Sequence, residues 1–541
     1  MLTTTVLQDT AAIPRAIVER CNFCPRNSFS SRKDQMSSLT KGNTASSGIY
    51  GGSVGGFKPF ALERYFAIYE FSGAKLLCCS DCEPYSQSEV LAMADDETAS
   101  MWSNLSLGYT ESAGLPALRA EIALTYDDAN ISDSNVTVLC PEEGIYLSLR
   151  AILSKGDEVI VTTPAYQSLI EVASAIEANV KKWEAYIDPN SGDISFRVDD
   201  LFKLLTDKTR LVVINFPHNP TGYQLQRKDF ELIIEKIKSM ENVYLFSDEM
   251  YRGLEYEEAW RNPAVCQAFD KGISLSGMSK VYAMPGLRIG WIVSQCEEFN
   301  VKLRTLKDYT TICPPAPCEI LALIGLRNRT NIIERNLGII KSSLIAVEDF
   351  MDRHSKIFQM TKPVAGSFAF PSIKDPNGSI SALCKKWVEE GNVMLLPSNL
   401  YDFGDKHFRL GIGRKDCAET LQLWEEYIVK SNSDNITRMP KILPTKPNKF
   451  FCKRCKTHLF DIDQLAGNDI HPVTEMCQSY FFLEPLSWMN GEEGKQICPN
   501  CNVKIGTLKW SGSKCSCGKW VAPGIQIPYS RVDGKCVPLA N

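Results

Sequence analysis

From residue 136 onward, short β-branched runs alternate with stretches whose charges recur at helical spacing. Val136-Thr137-Val138-Leu139, Glu158 to Thr162, Leu211 to Asn215, Val243 to Phe246, Ile273 to Leu275 and Ile289 to Val293 are dense in apolar residues and bounded by turn formers. Each is therefore expected as a strand buried on both faces. Strands that alternate with amphipathic helices imply the α/β class, with a mostly parallel central sheet and helices on both sides. Ligand groups should then gather at the carboxyl ends of the strands. Upstream, aromatic and charged residues alternate at helical spacing from Phe57 to about Glu70, which predicts a helix packed on a larger body. A further helix is expected after the stretch Leu105 to Arg119.

Length and composition change this picture in three ways. At 541 residues the chain is too long for one ordinary domain, so two or three are expected. Charged residues at 23% and hydrophobic ones at 44% fit a soluble globular protein, and a net charge of −5 gives no reason to expect a polyanion-binding surface. No run of eighteen apolar residues offers a membrane span. Residues 1–56, closing in Gly51-Gly52-Ser53-Val54-Gly55-Gly56, read as a poorly ordered leader. Arg15, Arg20, Arg26 and Arg32 leave an organelle-targeting peptide open, Asp9, Glu19 and Asp34 count against it, and a secretory core is missing, so cytoplasm is the expectation.

Candidate chemistry lies at the predicted strand ends. Asn219-Pro220-Thr221-Gly222 follows the strand ending at Asn215, Asp248 and Tyr251 follow the one ending at Phe246, and Tyr166 follows the one ending at Thr162. Lys280 sits in Ser276-Gly277-Met278-Ser279-Lys280, with Arg288 eight residues on. A lysine that forms a Schiff base must be partly desolvated so that its amine is neutral often enough to attack an aldehyde. An arginine at fixed distance can neutralise a phosphate as a planar donor. Each residue taken alone has a plain structural reading: a turn, a helix cap or a core tyrosine. Their order, ending in the lysine and arginine pair, is that of a pyridoxal-phosphate site.

On these residues, over about 57 to 430, the chain resembles the fold-type I, class I/II pyridoxal-phosphate aminotransferases, with Asn215-Phe216-Pro217-His218-Asn219-Pro220-Thr221-Gly222 among the most specific parts. The resemblance implies a large and a smaller α+β subdomain, a homodimer and an α-amino-acid substrate. By the same resemblance, Lys280 is the Schiff-base lysine, Asp248 the partner of the pyridine nitrogen, and Arg288 a phosphate ligand. Asn219 and Tyr251 hydrogen-bond the ring's phenolic oxygen, and Tyr166 stacks on the ring. Tyr109 matches the tyrosine lent to the partner subunit's phosphate, and Arg409, in Phe408-Arg409-Leu410-Gly411, the clamp on the substrate carboxylate. Two departures stand out. The phosphate loop reads Cys140-Pro141-Glu142-Glu143-Gly144, where Pro141 has no N–H to donate and Glu142 still has one at a helix start. The usual serine three residues before the lysine is Gly277, so Ser276 or Ser279 must serve. Both, with the Asn215-Phe216-Pro217-His218 lead-in, look closest to a subgroup that includes capreomycidine synthase, which implies elimination and cyclisation of a hydroxylated arginine as an alternative to transamination. Glu142 or Glu143 could then meet a cationic substrate tail. A non-catalytic scaffold is the third reading.

After a stiff polar linker, 431–449, with Pro440, Pro444 and Pro447, cysteines become frequent. Cys452-x-x-Cys455 and Cys498-x-x-Cys501 offer four thiolates to one tetrahedral zinc. Cys477, Cys515 and Cys517 would be three ligands of a second ion, completed by His471, with His458 as the competitor. This makes 450–541 a small β-rich zinc-binding domain with structural zinc, two ions in all. It resembles the zinc tail of one subfamily of dual-specificity protein phosphatases through Ser479-Tyr480-Phe481, Trp488-Met489 and Cys515-Ser516-Cys517-Gly518. That likeness implies a docking role toward a protein or ribonucleoprotein partner.

Overall fold

The computed structural model describes residues 53–436, apart from 127, 129, 189 and 190, and within 449–535 all but 462–479, 484, 487, 490–492, 515–519 and 522–523. The expected leader apart from residues 53–56 lies outside the described residues, as does most of the expected linker, whose first residues, 431–436, instead continue the helix Cys417–Ile436. The chain divides into two compact units, Met1–Val429 and Lys430–Asn541.

The first unit is built on seven strands: β1 (Val136–Leu139), β2 (Glu158–Thr163), β3 (Asn179–Glu184), β4 (Thr209–Asn215), β5 (Tyr244–Asp248), β6 (Gly272–Gly277) and β7 (Gly290–Ser294). They lie in the order β1-β7-β6-β5-β4-β2-β3. Strands β2 to β6 pair in parallel, and β7 runs antiparallel between β6 and β1. The sheet is thus mostly parallel, as the alternation predicted. Strand period decides what each residue covers. Val159, Val161, Leu211 and Val213 enter one core, while Ile160, Val212 and Ile214 point to the core on the opposite face. Strand β3 is a seventh element that the apolar pattern does not reveal: at the sheet edge, Asn-Val-Lys-Lys-Trp-Glu buries only Trp183.

Register brings the functional ends level. Asn215 stands opposite Asp248, and Asp248 opposite Leu275, so the loops holding Asn219, Tyr251 and Lys280 leave the sheet side by side. Helix α1 (Ala61–Tyr69) is the expected N-terminal helix, and α2 (Pro141–Ile152) follows β1 directly. The smaller part combines the 25-residue helix α3 (Arg329–Arg353) with a three-stranded antiparallel sheet of β8 (Phe368–Ala369), β9 (Leu396–Pro397) and β10 (Phe408–Gly411).

The second unit is β-rich. Lys449–Cys452 pairs with His458–Asp461 and with Val532–Lys535, and a four-stranded sheet joins Tyr480–Leu483, Ile525–Pro528, Lys504–Leu508 and Gly494–Ile497. Its small core includes Phe450, Phe460, Leu483, Ile505, Ile525 and Ile527, with Cys452 and Cys498 among them.

Candidate active site and thiolate cluster

The loop after β4 is fixed by asparagine and histidine. Asn215 donates from Nδ2 to the main-chain oxygen of Asp248 at 2.8 Å and accepts the N–H of Asn219 at 3.0 Å. His218, fully buried, joins Thr221 Oγ1 at 2.7 Å and the Pro164 carbonyl at 2.9 Å, tying this loop to the one that carries Tyr166. Burial drives its pKa down to about 3, so the ring is neutral and structural. Gly222 turns the chain at φ +70°, and a Cβ there would lie 2.4 Å from Pro363 Cβ. Only glycine fits.

These loops and α1 enclose a cavity of about 320 Å³. Lys280, Asp248, Asn219, Tyr251, Tyr166, Arg288 and Arg409 all line it, as do Ser279 and Glu142. The chain therefore brings together most of the residues expected from its sequence. The Lys280 amine donates to Ser80 Oγ at 2.8 Å, and burial lowers its pKa. That is the direction a nucleophilic amine needs. Burial also raises Asp248 to about 6, against the opposing N–H of Met250 at 3.2 Å. A cation facing this carboxyl would restore its charge. Tyr251 and Tyr166 are pushed up by burial as well. Arg409 is held edge-on by the Cys78 carbonyl at 3.0 Å and Asn219 Oδ1 at 3.2 Å, which leaves further guanidinium donors for a carboxylate.

At the other end of the cavity, Arg288 takes a left-handed backbone, φ +57°, and points a guanidinium at the start of α2, where it meets Cys140 Sγ at 3.2 Å. Ser279 Oγ is buried with no hydrogen-bond partner. An orphaned hydroxyl beside an arginine and a helix N-terminus fits a phosphate. Of the two serine candidates, Ser279 faces the cavity, whereas Ser276 sits inside β6 opposite Trp291 and is not part of the lining. The two glutamates also separate. Glu142 lines the cavity, its pKa raised by burial. Glu143 turns away to accept the Cys140 N–H at 3.4 Å and the Thr311 hydroxyl at 2.8 Å. Tyr109 does not reach the cavity within one chain and is 92% exposed.

Several cavity residues escaped sequence reasoning. Ser80 and Asp81 come from a strap between the strand Lys75–Leu76 and the helix Gln87–Leu91, about 200 residues before Lys280, and Asp81 is clamped by Arg414 in two hydrogen bonds, 2.8 and 3.0 Å. Glu63, Phe66 and Glu70 present one face of the α1 region to the same space. The run Cys78-Cys79-Ser80-Asp81-Cys82 held the one visible signal, a polar pair set among cysteines.

In the second unit, Cys452, Cys455, Cys498 and Cys501 bring their sulfurs within 4.8 Å of one another. Cys452 and Cys501 are 3.8 Å apart and Cys455 and Cys498 3.5 Å. Zinc–sulfur bonds of about 2.3 Å give a tetrahedron whose edges are about 3.8 Å, so the spacing fits a four-thiolate site. Both knuckles repeat one backbone: Lys456 and Asn502 are left-handed, and their N–H groups return to the Cys452 and Cys498 carbonyls at 2.8 and 3.1 Å. His471, Cys477, Cys515 and Cys517, the expected second site, lie outside the described residues. His458 belongs to a strand and packs against the Phe451 ring at 5.3 Å rather than joining the four sulfurs.

Residues 87–421 match the family described as Aminotransferase class I and II. Capreomycidine synthase of Streptomyces vinaceus is 28% identical over 269 residues, 50% of this chain and 67% of that protein. The (5-formylfuran-3-yl)methyl phosphate transaminase of Methanocaldococcus jannaschii is 28% identical over 334 residues, 60% and 84% of the two chains. Among solved structures, a PLP-dependent aminotransferase from Streptococcus suis aligns with a TM-score of 0.64 at 24% identity, covering 70% of this chain and 98% of its own. The fold is that of the fold-type I pyridoxal-phosphate enzymes.

Proposed function

The chain belongs to the class I and II aminotransferase family, and from that premise we propose that it is a pyridoxal-phosphate enzyme that transaminates an α-amino acid with a cationic side chain. The observation that carries the reading is the Lys280 amine, held in one cavity with Asp248, Arg288 and Arg409. When bound, pyridoxal phosphate supplies an electron sink for negative charge at the substrate α-carbon. Lys280 would carry it, and the lysine amine would be the base that moves the α-proton. Asp248 would face the ring nitrogen and keep it protonated. Asn219 and Tyr251 would hydrogen-bond the phenolic oxygen, and Tyr166 would cover the ring. Arg288, Ser279 and the Glu142 N–H at the start of α2 would receive the phosphate. Arg409 would clamp the α-carboxylate. A purely scaffolding role leaves this convergence unexplained.

Charge decides the substrate class. Asp81 is neutralised by Arg414, and Asp248 by the ring nitrogen. Glu63, Glu70 and Glu142 also line the cavity outside any described salt bridge, with Arg414 attracting Glu70 and Arg288 attracting Glu142 without pairing to them. Three carboxylates of this kind favour a substrate that brings its own positive charge. The same wall gives the second reading some support: cyclisation of an arginine-like amino acid, by likeness to capreomycidine synthase. Purified protein offered arginine, ornithine and lysine beside neutral isosteres such as citrulline, with keto acid, ammonia and ring products separated, tests all of this. Cationic substrates should show at least a ten-fold advantage in kcat/KM, and equal turnover of citrulline and arginine would remove the charge argument.

The enzyme would work as a homodimer in the cytoplasm. Leu107, Tyr109, Tyr309 and Ile312 are all exposed, and their segments are joined by bonds from Thr110 to the Pro314 carbonyl and from Ser112 to Asp308. This apolar patch suits a second copy, whose phosphate Tyr109 would reach. Among the described residues no helix is long and apolar enough to cross a membrane. The four-cysteine cluster would hold one structural zinc, and Cys477, Cys515, Cys517 and His471 a second. The likeness to the phosphatase tail makes this unit a docking module for a protein or ribonucleoprotein partner.

A further inference from the structure

The strap from Leu77 to Glu83 is held more firmly than a loop needs to be. Its Leu77 carbonyl accepts the Gly411 N–H at 2.9 Å, its Cys78 carbonyl accepts Arg409, and its Ser80 carbonyl accepts the Ser367 hydroxyl at 2.7 Å. Asp81 is locked by Arg414, and the Glu83 N–H reaches the Gly413 carbonyl at 2.8 Å. Side chains are excluded where the strap crosses β10: a Cβ on Gly411 would lie 2.3 Å from the Cys79 carbonyl, and one on Gly413 2.5 Å from that of Asp81. Just beyond, the Tyr85 N–H bonds the Ala283 carbonyl, in the turn that carries Lys280. The strap is thereby fastened to both the substrate-clamp strand and the lysine turn. What it presents between them is a single hydroxyl, Ser80 Oγ, buried, 2.8 Å from Lys280 Nζ and also bonded to the Tyr251 side chain.

We propose that Ser80 is a positioning residue for the Lys280 amine: its hydroxyl accepts a hydrogen bond from Nζ whenever that nitrogen is not bonded to cofactor, and so aims the amine and steadies the proton it carries. The inference rests on Lys280 being the cofactor lysine. A base that takes a proton from one carbon and returns it elsewhere must hold it in between, as an ammonium. An oxygen acceptor favours the ammonium over the amine, because a hydrogen bond from a charged donor is the stronger one. Burial, and then Arg409, work in the opposite sense and favour the neutral amine, while Asp81, Cys79 and Asp248 act in the same sense as the serine. Ser80 therefore adds a directed acceptor at Nζ to the charges of Asp81, Cys79 and Asp248 that offset burial. The serine also fixes direction. Its oxygen is set by five main-chain and side-chain ties in the strap, so the amine returns to one place after each release.

The test compares Ser80→Ala with Ser80→Thr, which keeps the hydroxyl. Cofactor-free protein is labelled with trace acetic anhydride across pH, and acetylation of the Lys280 peptide is followed by mass spectrometry. Losing the acceptor should lower the midpoint of Lys280 reactivity by about one pH unit, a ten-fold change in the ratio of ammonium to amine. The threonine variant should return to the wild-type midpoint. With cofactor, Ser80→Ala should lose about ten-fold in kcat with KM changed less than two-fold, and Ser80→Thr should recover it. An unmoved midpoint together with an unmoved kcat would overturn the proposal, and so would a midpoint that rises. If Ser80→Ala does not fold, Ser80→Cys keeps the size, weakens the acceptor and is read in the same way. Should the wild type bind no pyridoxal phosphate, the enzyme reading fails, while the acetylation series still decides whether Ser80 holds the amine.

Discussion

Replacing Asp248 with asparagine should make the cofactor-free protein more stable and the enzyme nearly inactive. The carboxyl is 6% exposed at the end of a central strand, and burial moves its pKa from 3.8 to about 6. Two pH units of displacement correspond to about 3 kcal/mol. The sign follows from proton binding. Between pH 4 and 6 the folded state holds a proton that the unfolded chain has released, so stability falls as pH rises through that window. Above pH 6 the full penalty is present, and below pH 4 it vanishes. Asparagine has no charge to bury and can still accept the Met250 N–H through Oδ1. Thermal melts of cofactor-free Asp248→Asn should therefore exceed wild type by a few degrees at pH 7.5. The difference should shrink as pH drops toward 4. Turnover should fall on the order of a hundred-fold or more, because a neutral amide cannot hold a proton on the ring nitrogen. A variant no more stable than wild type at pH 7.5 would refute the burial argument, and an active one would refute the role.

Three other perturbations have definite outcomes. Mixing Tyr109→Phe with Lys280→Ala protein should give hybrid dimers with more activity than either parent, because one site in each hybrid carries neither defect; activity that never exceeds the parents removes the shared site. A chelator should unfold the C-terminal unit, since structural zinc supplies on the order of ten kcal/mol per ion, while the cofactor absorbance of the first unit stays unchanged; elemental analysis should give two zinc ions, and one ion would withdraw the second site. Gly222→Ala should destabilise the first unit by about 2–4 kcal/mol in denaturant melts, combining a left-handed backbone with overpacking against Pro363.

What the sequence disclosed depends on how local the cause is. Strands β2, β4 and β5 are central and buried on both faces, so their composition alone reveals them. Strand β3 owes its existence to pairing with β2 along six residues, a main-chain cause that Asn179-Val180-Lys181-Lys182 does not betray. Lys280, Asp248 and Asn219 were legible because strand ends are the natural place for such groups. Ser80 and Asp81 were not, because the fold alone brings them 200 residues to Lys280 and 333 to Arg414, and Glu63 and Glu70 meet the cavity only through the packing of α1. Glu142 and Glu143 could not be told apart without a helix axis. Neighbouring helical residues point about 100° apart, so only one of the pair can face the cavity. His218 appeared as a mark of subgroup and turned out to be a neutral strut between two loops.

The cavity is also a set of charges that no single ligand balances. Asp248 lacks a cation, Arg409 has donors to spare, Ser279 has no partner, and three glutamates line the rest. Under the proposed function each deficit would correspond to a different part of the bound state: ring nitrogen, α-carboxylate, phosphate and substrate side chain. Any ligand that fills one stabilises the fold by mass action, and a second that fills another adds to it. Cofactor alone would relieve Asp248 and Ser279 but leave the glutamates repelling one another. A cationic substrate would relieve that repulsion, so its charge would add to its binding. A neutral substrate of equal size would bind the same Arg409 and leave the wall as it was. The discrimination between the two would then appear in kcat/KM, as the difference in charge met by the same three glutamates.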